Sequence, residues 1–354
     1  MNGSPVSFSI CIPNYNYARY IGQTIESVLA QSYPHFEIIV TDNHSTDDSP
    51  AVVRAFGDER IRLFINQYNV GFAPNLDRAA SHAVHPYLIM LSADDLMRPG
   101  ALAEYAAVIE ALGTDAANVL IASNIEYFND AGDVLHATTR RELMAIEPEA
   151  AATSAIGRAG VELFDGRKVF AHVFPRMKVA TPFCSTAYSR ELYERIGGYG
   201  SVHHTAPDAH FTYKAMLAGA NIVFVDRPLF GYRIHGSNQL QLSRHDKNLK
   251  VPIDHYIFAR QFPEAELARA GVKRAEAIEA LVDETCLNGA LIEVRDGDRG
   301  QAFRMLMFAM ATSPSHTLRN LKTYLLLILM IPLAGRPMSR ALYAIRRRMA
   351  KAAA

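Results

Sequence analysis

The sequence predicts an α/β protein built on a doubly wound, mostly parallel sheet, with a helical extension behind it. Three observations lead there. Short apolar runs of strand length alternate with apolar residues at helical spacing through the first hundred positions. Asp, Asn and Gly stand directly after those runs, where the chain must turn. From about Gln239 onward the pattern is helical.

Residues 8–12 read as the first strand, stopped by Pro13, and Ile21, Ile25, Val28 and Leu29 recur at helical spacing behind it. Residues 36–40 form the second strand, ending at Asp42, and a short helix follows around 50–56. Ile61–Ile65 is the third strand, a helix covers about 74–84, and the run 87–91 is the fourth strand. Residues 119–128 and 134–137 read as two strands around the turn Asn129-Asp130-Ala131-Gly132. Residues 138–180 mix loop and helix character. Residues 191–196 form a helix ended by Gly197-Gly198, 208–217 form another, and 222–225 form a strand.

The chain has 354 residues, 49% of them hydrophobic and 20% charged, which suits a large folded core. Cys11, Cys184 and Cys286 lie far apart, with neither metal-ligand spacing nor a paired framework, as in a reducing compartment. Residues 1–5 show no basic n-region and no apolar run, so no signal peptide is expected. The net charge of zero hides an asymmetry. Residues 299–354 hold ten basic side chains and no acidic one, so residues 1–298 carry −10 and the tail +10. The tail also holds a run of about ten apolar residues, 324–333, well short of the roughly 20 that span a bilayer. Basic residues beside a short apolar helix point to an anionic membrane surface, engaged through residues 315–354, rather than to nucleic acid. The competing reading is a helix that packs on protein. The Met and Leu residues of 305–310 read as helix core.

The chemistry gathers where the strands end. Ser92-Ala93-Asp94-Asp95 closes the fourth strand, and two adjacent carboxylates at a buried strand end are costly unless a cation meets them. A hard divalent cation, Mg²⁺ or Mn²⁺, takes carboxylate oxygens and shares its shell with phosphate, whereas the plainer reading is that Asp95 caps a helix. Pro13-Asn14-Tyr15-Asn16 closes the first strand, Asp42 the second, and Asn69-Val70-Gly71 with Asn75 follow the third. In an open α/β sheet these ends share one crevice. The chain contains neither G-x-G-x-x-G after the first strand nor G-x-x-x-x-G-K-[ST], which disfavours a dinucleotide fold and a P-loop.

Together with Gly197-Gly198-Tyr199, Pro207-Asp208 and Tyr232-Arg233-Ile234-His235, these segments resemble, in order, the motifs of family 2 glycosyltransferases of the GT-A fold, over roughly residues 6–240. The resemblance implies a nucleotide-sugar-binding half (1–110) and an acceptor-binding half (111–240); the pattern and charge of 241–354 read as a helical, membrane-associating extension. It also implies the roles. Asp42 would accept from the donor base, most often uracil, and Tyr15 would lie against that base with Pro13 shaping the turn. Asn16, Asn69, Gly71 and Asn75 would lie near the nucleotide. Asp94 would touch ribose or metal, Asp95 would bind the metal, and Arg233 and His235 would face the diphosphate, His235 reaching the metal. Asp208 would be the base of a single, inverting displacement. The implied donor is a nucleotide sugar, UDP-linked by preference. The expected acceptor is a lipid-linked or polysaccharide chain in cell-surface glycan synthesis, at the cytoplasmic face of a membrane, the lipid link being motivated by the basic, apolar tail. The chain departs from the pattern at Ser92, where the family often has Asp, and at Pro207, where it usually has Glu. A catalytically silent subunit of the same fold and a sugar nucleotidyltransferase are the competing readings. His203, His204 and His210 near Asp208 do not have a recognised ligand spacing, and Cys184-Ser185 reads as acceptor-cleft wall or strand.

Overall fold

In the computed structural model, which describes residues 5–143, 145–200, 206–236 and 249–330, the chain divides into two compact units. The first comprises residues 1–173 and 178–238, so both halves expected for the donor and acceptor share one unit.

β1 (Phe8–Asn14) and β2 (Phe36–Asp42) lie parallel and are buried along their whole length, which is why both read as unbroken apolar runs. β3 (Ile61–Ile65) pairs outside β2, and β4 (Tyr87–Met90) pairs on the other side of β1, all parallel. Between them run the helices α1 (Ile21–Leu29), α2 (Ser49–Arg54) and α3 (Phe72–His82). The chain continues through β5 (Leu96–Met97), α4 (Ala101–Leu112), β6 (Val119–Phe128), β7 (Val134–Ala137), α5 (Arg140–Leu143), α6 (Ala150–Ile156), β8 (Val161–Phe164) and α7 (Gly166–Val173). It then forms β9 (Ala187–Ser189), α8 (Arg190–Arg195), α9 (Pro207–Leu217) and β10 (Asn221–Arg233). The sheet order is β3-β2-β1-β4-β9-β6-β10-β5, with β7 on β6 and β8 on β10.

Several boundaries differ from the sequence reading. β1 does not stop at Pro13 but runs to Asn14. β4 pairs with β1 only as far as Cys11, so Pro13 lies where β1 has β2 alone beside it and its missing N–H is tolerated. β10 is 13 residues long rather than the four of 222–225. Asp226-Arg227-Pro228 is exposed and the register slips around Pro228, so one strand reads as two. α3 begins at Phe72, two residues before the expected Pro74. Cys184 and Ser185 form a buried 3₁₀ turn before β9 rather than a strand or an open wall. Of 305–310, Leu306 and Ala309 are core but Met307 is exposed.

The second unit, residues 174–177 and 239–354, is helical where described. It contains α10 (Lys250–Gln261), α11 (Glu264–Arg269), α12 (Arg274–Ala280), a π-helical turn at Leu281–Leu287, α13 (Asn288–Asp296), α14 (Arg299–Thr312), α15 (Pro314–Arg319) and α16 (Leu321–Met330). Its own apolar cluster includes Leu281, Cys286, Leu287, Leu306, Leu326 and Leu329. No described helix is long and apolar enough to cross a membrane. His203, His204, residues 331–333 and the basic residues from Arg336 onward lie outside the described residues.

Candidate active site

Parallel pairing brings the carboxyl ends of β1, β2, β3 and β4 to one edge, and the polar segments sit there. Asp42 is 1% exposed. Its Oδ2 accepts from Asn14 Nδ2 (2.7 Å) and Ser45 Oγ (2.6 Å), and its Oδ1 from the Ser45 amide (2.9 Å). Asn14 Oδ1 is buried without a partner. Asn16 takes a left-handed turn (φ 60°), its amide donating to Ser45 Oγ while its Oδ1 accepts from the Thr46 amide, so it staples the β1 and β2 loops together. Tyr15 between them is 43% exposed, an open aromatic face at the crevice.

The third strand end is an amide network. Asn43 Nδ2 donates to Asn69 Oδ1 (2.8 Å) and to the Gly71 carbonyl (3.2 Å), and Asn43 Oδ1 accepts from Asn66 Nδ2 and the Val70 amide. Asn75 is buried and uses both its amide atoms within the protein, accepting from Asn66 Nδ2 and donating to the Thr41 carbonyl. Gly71 sits at φ 88°, where a side chain would be strained. Asn43 and Asn66 are organisers that sequence reasoning missed, because Asn near a turn carries no distinctive signal.

The carboxylate pair at β4 is met by the end of β10. The Arg233 amide donates to Asp95 Oδ1 (3.0 Å), its Nε to the Asp94 carbonyl (2.9 Å), and its guanidinium to Gln23 Oε1 (2.7 Å). The guanidinium is sandwiched by Tyr20 and Phe128, at 5.0 and 4.6 Å from the ring centres. His235 Nε2 lies 2.9 Å from Asp94 Oδ2, with its ring against Tyr20 (4.6 Å). Asp94, Asp95, Arg233 and His235 are thus one buried cluster. Burial first, and the Asp94 charge second, push the Asp95 carboxyl well above its ordinary value, and Asp95 Oδ2 has no hydrogen-bond partner. No group of three or more His, Cys, Asp or Glu side chains is arranged to hold a metal among the described residues. The donor set still fits Mg²⁺ or Mn²⁺, which use one or two carboxylates and complete their shell with substrate phosphate and water.

Asp208 stands in the first turn of α9, at the positive end of the helix, and burial raises its pKa. The segment before it is tied to α3 by Asp77, whose Oδ1 accepts from Tyr193 OH (2.6 Å) and the Tyr199 amide (2.8 Å) and whose Oδ2 accepts from the Gly200 amide (3.0 Å). Lys214 of α9 donates to the Gly198 carbonyl. Gly198 sits at φ 59°, and a Cβ there would lie 2.6 Å from Asp77 Oδ1 and 2.7 Å from Tyr193 OH. Tyr188, Tyr193, Tyr199 and Phe211 pack as one aromatic group behind this turn. Asp77 also escaped the sequence reading: a lone Asp on an amphipathic helix looks like a solvated face.

Residues 9–160 match the model of glycosyl transferase family 2. Over this stretch the chain is similar to family 2 glycosyltransferases. Among curated relatives, the UDP-Glc:alpha-D-GlcNAc-diphosphoundecaprenol beta-1,3-glucosyltransferase WfgD of Escherichia coli is 36% identical over 88 residues, 25% of this chain and 35% of that protein. The chain spans between 35% and 40% of the length of the first curated relatives it matches. Among solved structures, residues 1–349 of S. aureus TarS in complex with UDP-GlcNAc superimpose with a TM-score of 0.62 at 18% identity, over 97% of this chain and 92% of that one. The mannosyltransferase PcManGT of Pyrobaculum calidifontis, in complex with GDP-Man and Mn2+, gives 0.52 at 19% identity, over 97% and 88%. These likenesses show a GT-A-type fold, followed in the chain by a helical region.

Proposed function

We propose that the chain is a metal-dependent, inverting glycosyltransferase that moves a sugar from a nucleotide-sugar donor, by preference UDP-linked, to a lipid-linked or polysaccharide acceptor in cell-surface glycan synthesis. The observation that carries this reading is the buried Asp95 carboxylate, with one oxygen held by the Arg233 amide and the other unpartnered, at the strand edge where the polar loops gather. UDP-GlcNAc in TarS and a UDP-Glc donor in the name of WfgD support the choice of donor.

In this reading the open face of Tyr15 stacks on the base and Asp42, oriented by Asn14 and Ser45, accepts from it. Asn16, Asn69, Gly71 and Asn75 shape the wall against the nucleotide. Asp95, with Asp94 and His235, would hold the divalent cation, which when bound neutralises charge on the departing diphosphate. Arg233 adds positive charge on the same side. Asp208 takes the proton of the acceptor hydroxyl as its oxygen bonds to the anomeric carbon, and its raised pKa makes it a better base than a solvated carboxylate. The bond from that carbon to the diphosphate oxygen breaks as the nucleoside diphosphate leaves with the electron pair. A single displacement inverts the anomeric centre.

The test is hydrolysis and transfer with a panel of nucleotide sugars, run beside nucleotide-induced thermal shifts with and without Mn²⁺. Asp208→Asn should lower transfer by about 10²–10⁴-fold, the usual worth of a general base, while keeping the nucleotide shift. Absence of any nucleotide shift in the wild type would overturn the reading.

A further inference from the structure

The helix α16 is apolar on both sides, and among the described residues only one side is used within the unit. Thr323, Leu326 and Leu329 are buried, the two leucines in the same cluster as Cys286, Leu287 and Leu306. On the opposite side Leu321 is 83% exposed, and Tyr324, Leu327 and Ile328 are each about half exposed. Their spacing puts these four on one stripe of the helix, and no polar side chain interrupts it. The Tyr324 hydroxyl donates to the Leu318 carbonyl (2.8 Å), which fixes the ring beside Leu318, itself 51% exposed at the end of α15. Apolar side chains scattered singly over a surface need no explanation, but an unbroken stripe of them does.

Charge and length say what covers the stripe. Residues 299–354 contain ten basic and no acidic side chains, and the exposed Arg319 stands just ahead of the stripe, while Lys322 turns inward and donates to the Asp283 carbonyl. An acidic, apolar-cored partner is the complement, and a bilayer of anionic lipid offers both properties in one surface. At 10 residues α16 is too short to cross it. We propose that the outer stripe of α16 docks in the plane of an anionic bilayer, with Leu321, Tyr324, Leu327 and Ile328 entering the interface and Arg319 meeting lipid phosphate. The inference is independent of the reaction and would stand if the transferase reading failed.

The chain contains no tryptophan, so Leu321→Trp or Ile328→Trp in the full chain places a sole reporter at an already exposed position. With vesicles of phosphatidylcholine and phosphatidylglycerol, both variants should shift their emission to the blue and co-sediment. Neither should do so with phosphatidylcholine alone, nor in 1 M salt, where charges are screened beyond about 3 Å. The double variant Leu321→Ser with Leu327→Ser should lower vesicle partition at least tenfold, since each buried methylene is worth roughly a fourfold factor. Its melting temperature should match the wild type. Three results would overturn the proposal. One is tryptophan emission already blue in buffer and unmoved by vesicles, which would mean that the chain itself covers the stripe. Another is a concentration-dependent oligomer lost in the serine variant, which would assign the stripe to a second copy. The last is equal vesicle partition of wild type and serine variant.

Discussion

Asp95 and Asp94 are like charges side by side out of water, and the Arg233 amide answers only one of the Asp95 oxygens. Two substitutions separate what that arrangement costs from what it does. Asp95→Asn removes a buried charge and keeps an acceptor for the Arg233 amide, so the unliganded melting temperature should rise by about 2–4 °C, the shift that roughly 1 kcal/mol gives in a unit of this size. Asp95→Ala also loses that acceptor and should fall below Asp95→Asn. Both should lose the metal-dependent nucleotide shift, and calorimetric melts with and without UDP and Mn²⁺ check all of this. At Asp77 one carboxylate holds three donors ahead of α9. Asp77→Ala should cost about 2–3 kcal/mol of stability and lower transfer while leaving nucleotide binding in place. Gly198→Ala, which drives a Cβ into the same carboxylate, should reproduce that pattern. A loss of nucleotide affinity in either variant would place the turn on the donor side instead.

Among the elements, β2 carries a second buried acid. Glu37 accepts from Ser9 Oγ (2.7 Å), the Val84 amide (2.7 Å) and Arg62 (2.9 Å). Burial alone would raise its pKa, but these bonds outweigh burial and hold it below the usual carboxylate range. Its folded pKa is therefore lower than its unfolded one, so it stabilises the sheet above pH 4.5 and that contribution fades as pH falls through the folded value. Glu37→Gln should cost about 1–3 kcal/mol at pH 7, and the gap from wild type should narrow as pH falls below 4.5, as read from urea midpoints. β1, β2 and β4 were legible because a buried parallel sheet writes continuous apolar runs, and half-buried β3 at the sheet edge keeps an apolar run around Arg62. β10 was legible only for its first third, because Asp226-Arg227-Pro228 breaks the pattern at a bulge that pairing with β6 tolerates. Asn14, Asn43 and Asn66 were not legible as a network, because their meaning lies in partners on other strands.

For the molecule as a whole, each unit holds its own apolar cluster, and the two should answer acid differently. Burial pushes His255 down to about 4, and its Nδ1 lies 3.2 Å from Thr285 Oγ1 in the helical unit. The unfolded chain binds a proton there between about pH 6.5 and 4 that the folded one does not, so the helical unit loses stability as pH falls through that window. His255→Asn should flatten that loss, measured by hydrogen exchange of α10 and α13 at pH 4.5 and 7. The change from strand to helical patterning was visible in sequence, whereas the inclusion of residues 174–177 in the second unit was not, since four residues carry no periodicity.

The bond from the Arg233 amide to Asp95 joins residues 138 apart, and β10 enters between β6 and β5 after every other strand has been made. During synthesis, then, the ribosome releases the acidic pair long before it releases the residue that answers it. A nascent chain ending near residue 160, where the family match ends, would have four parallel strands and an uncompensated pair of carboxylates. Closure waits on the last strand, so the acidic pair is answered only once β10 has been made, and the slow step in folding of this unit is expected to be a long-range one.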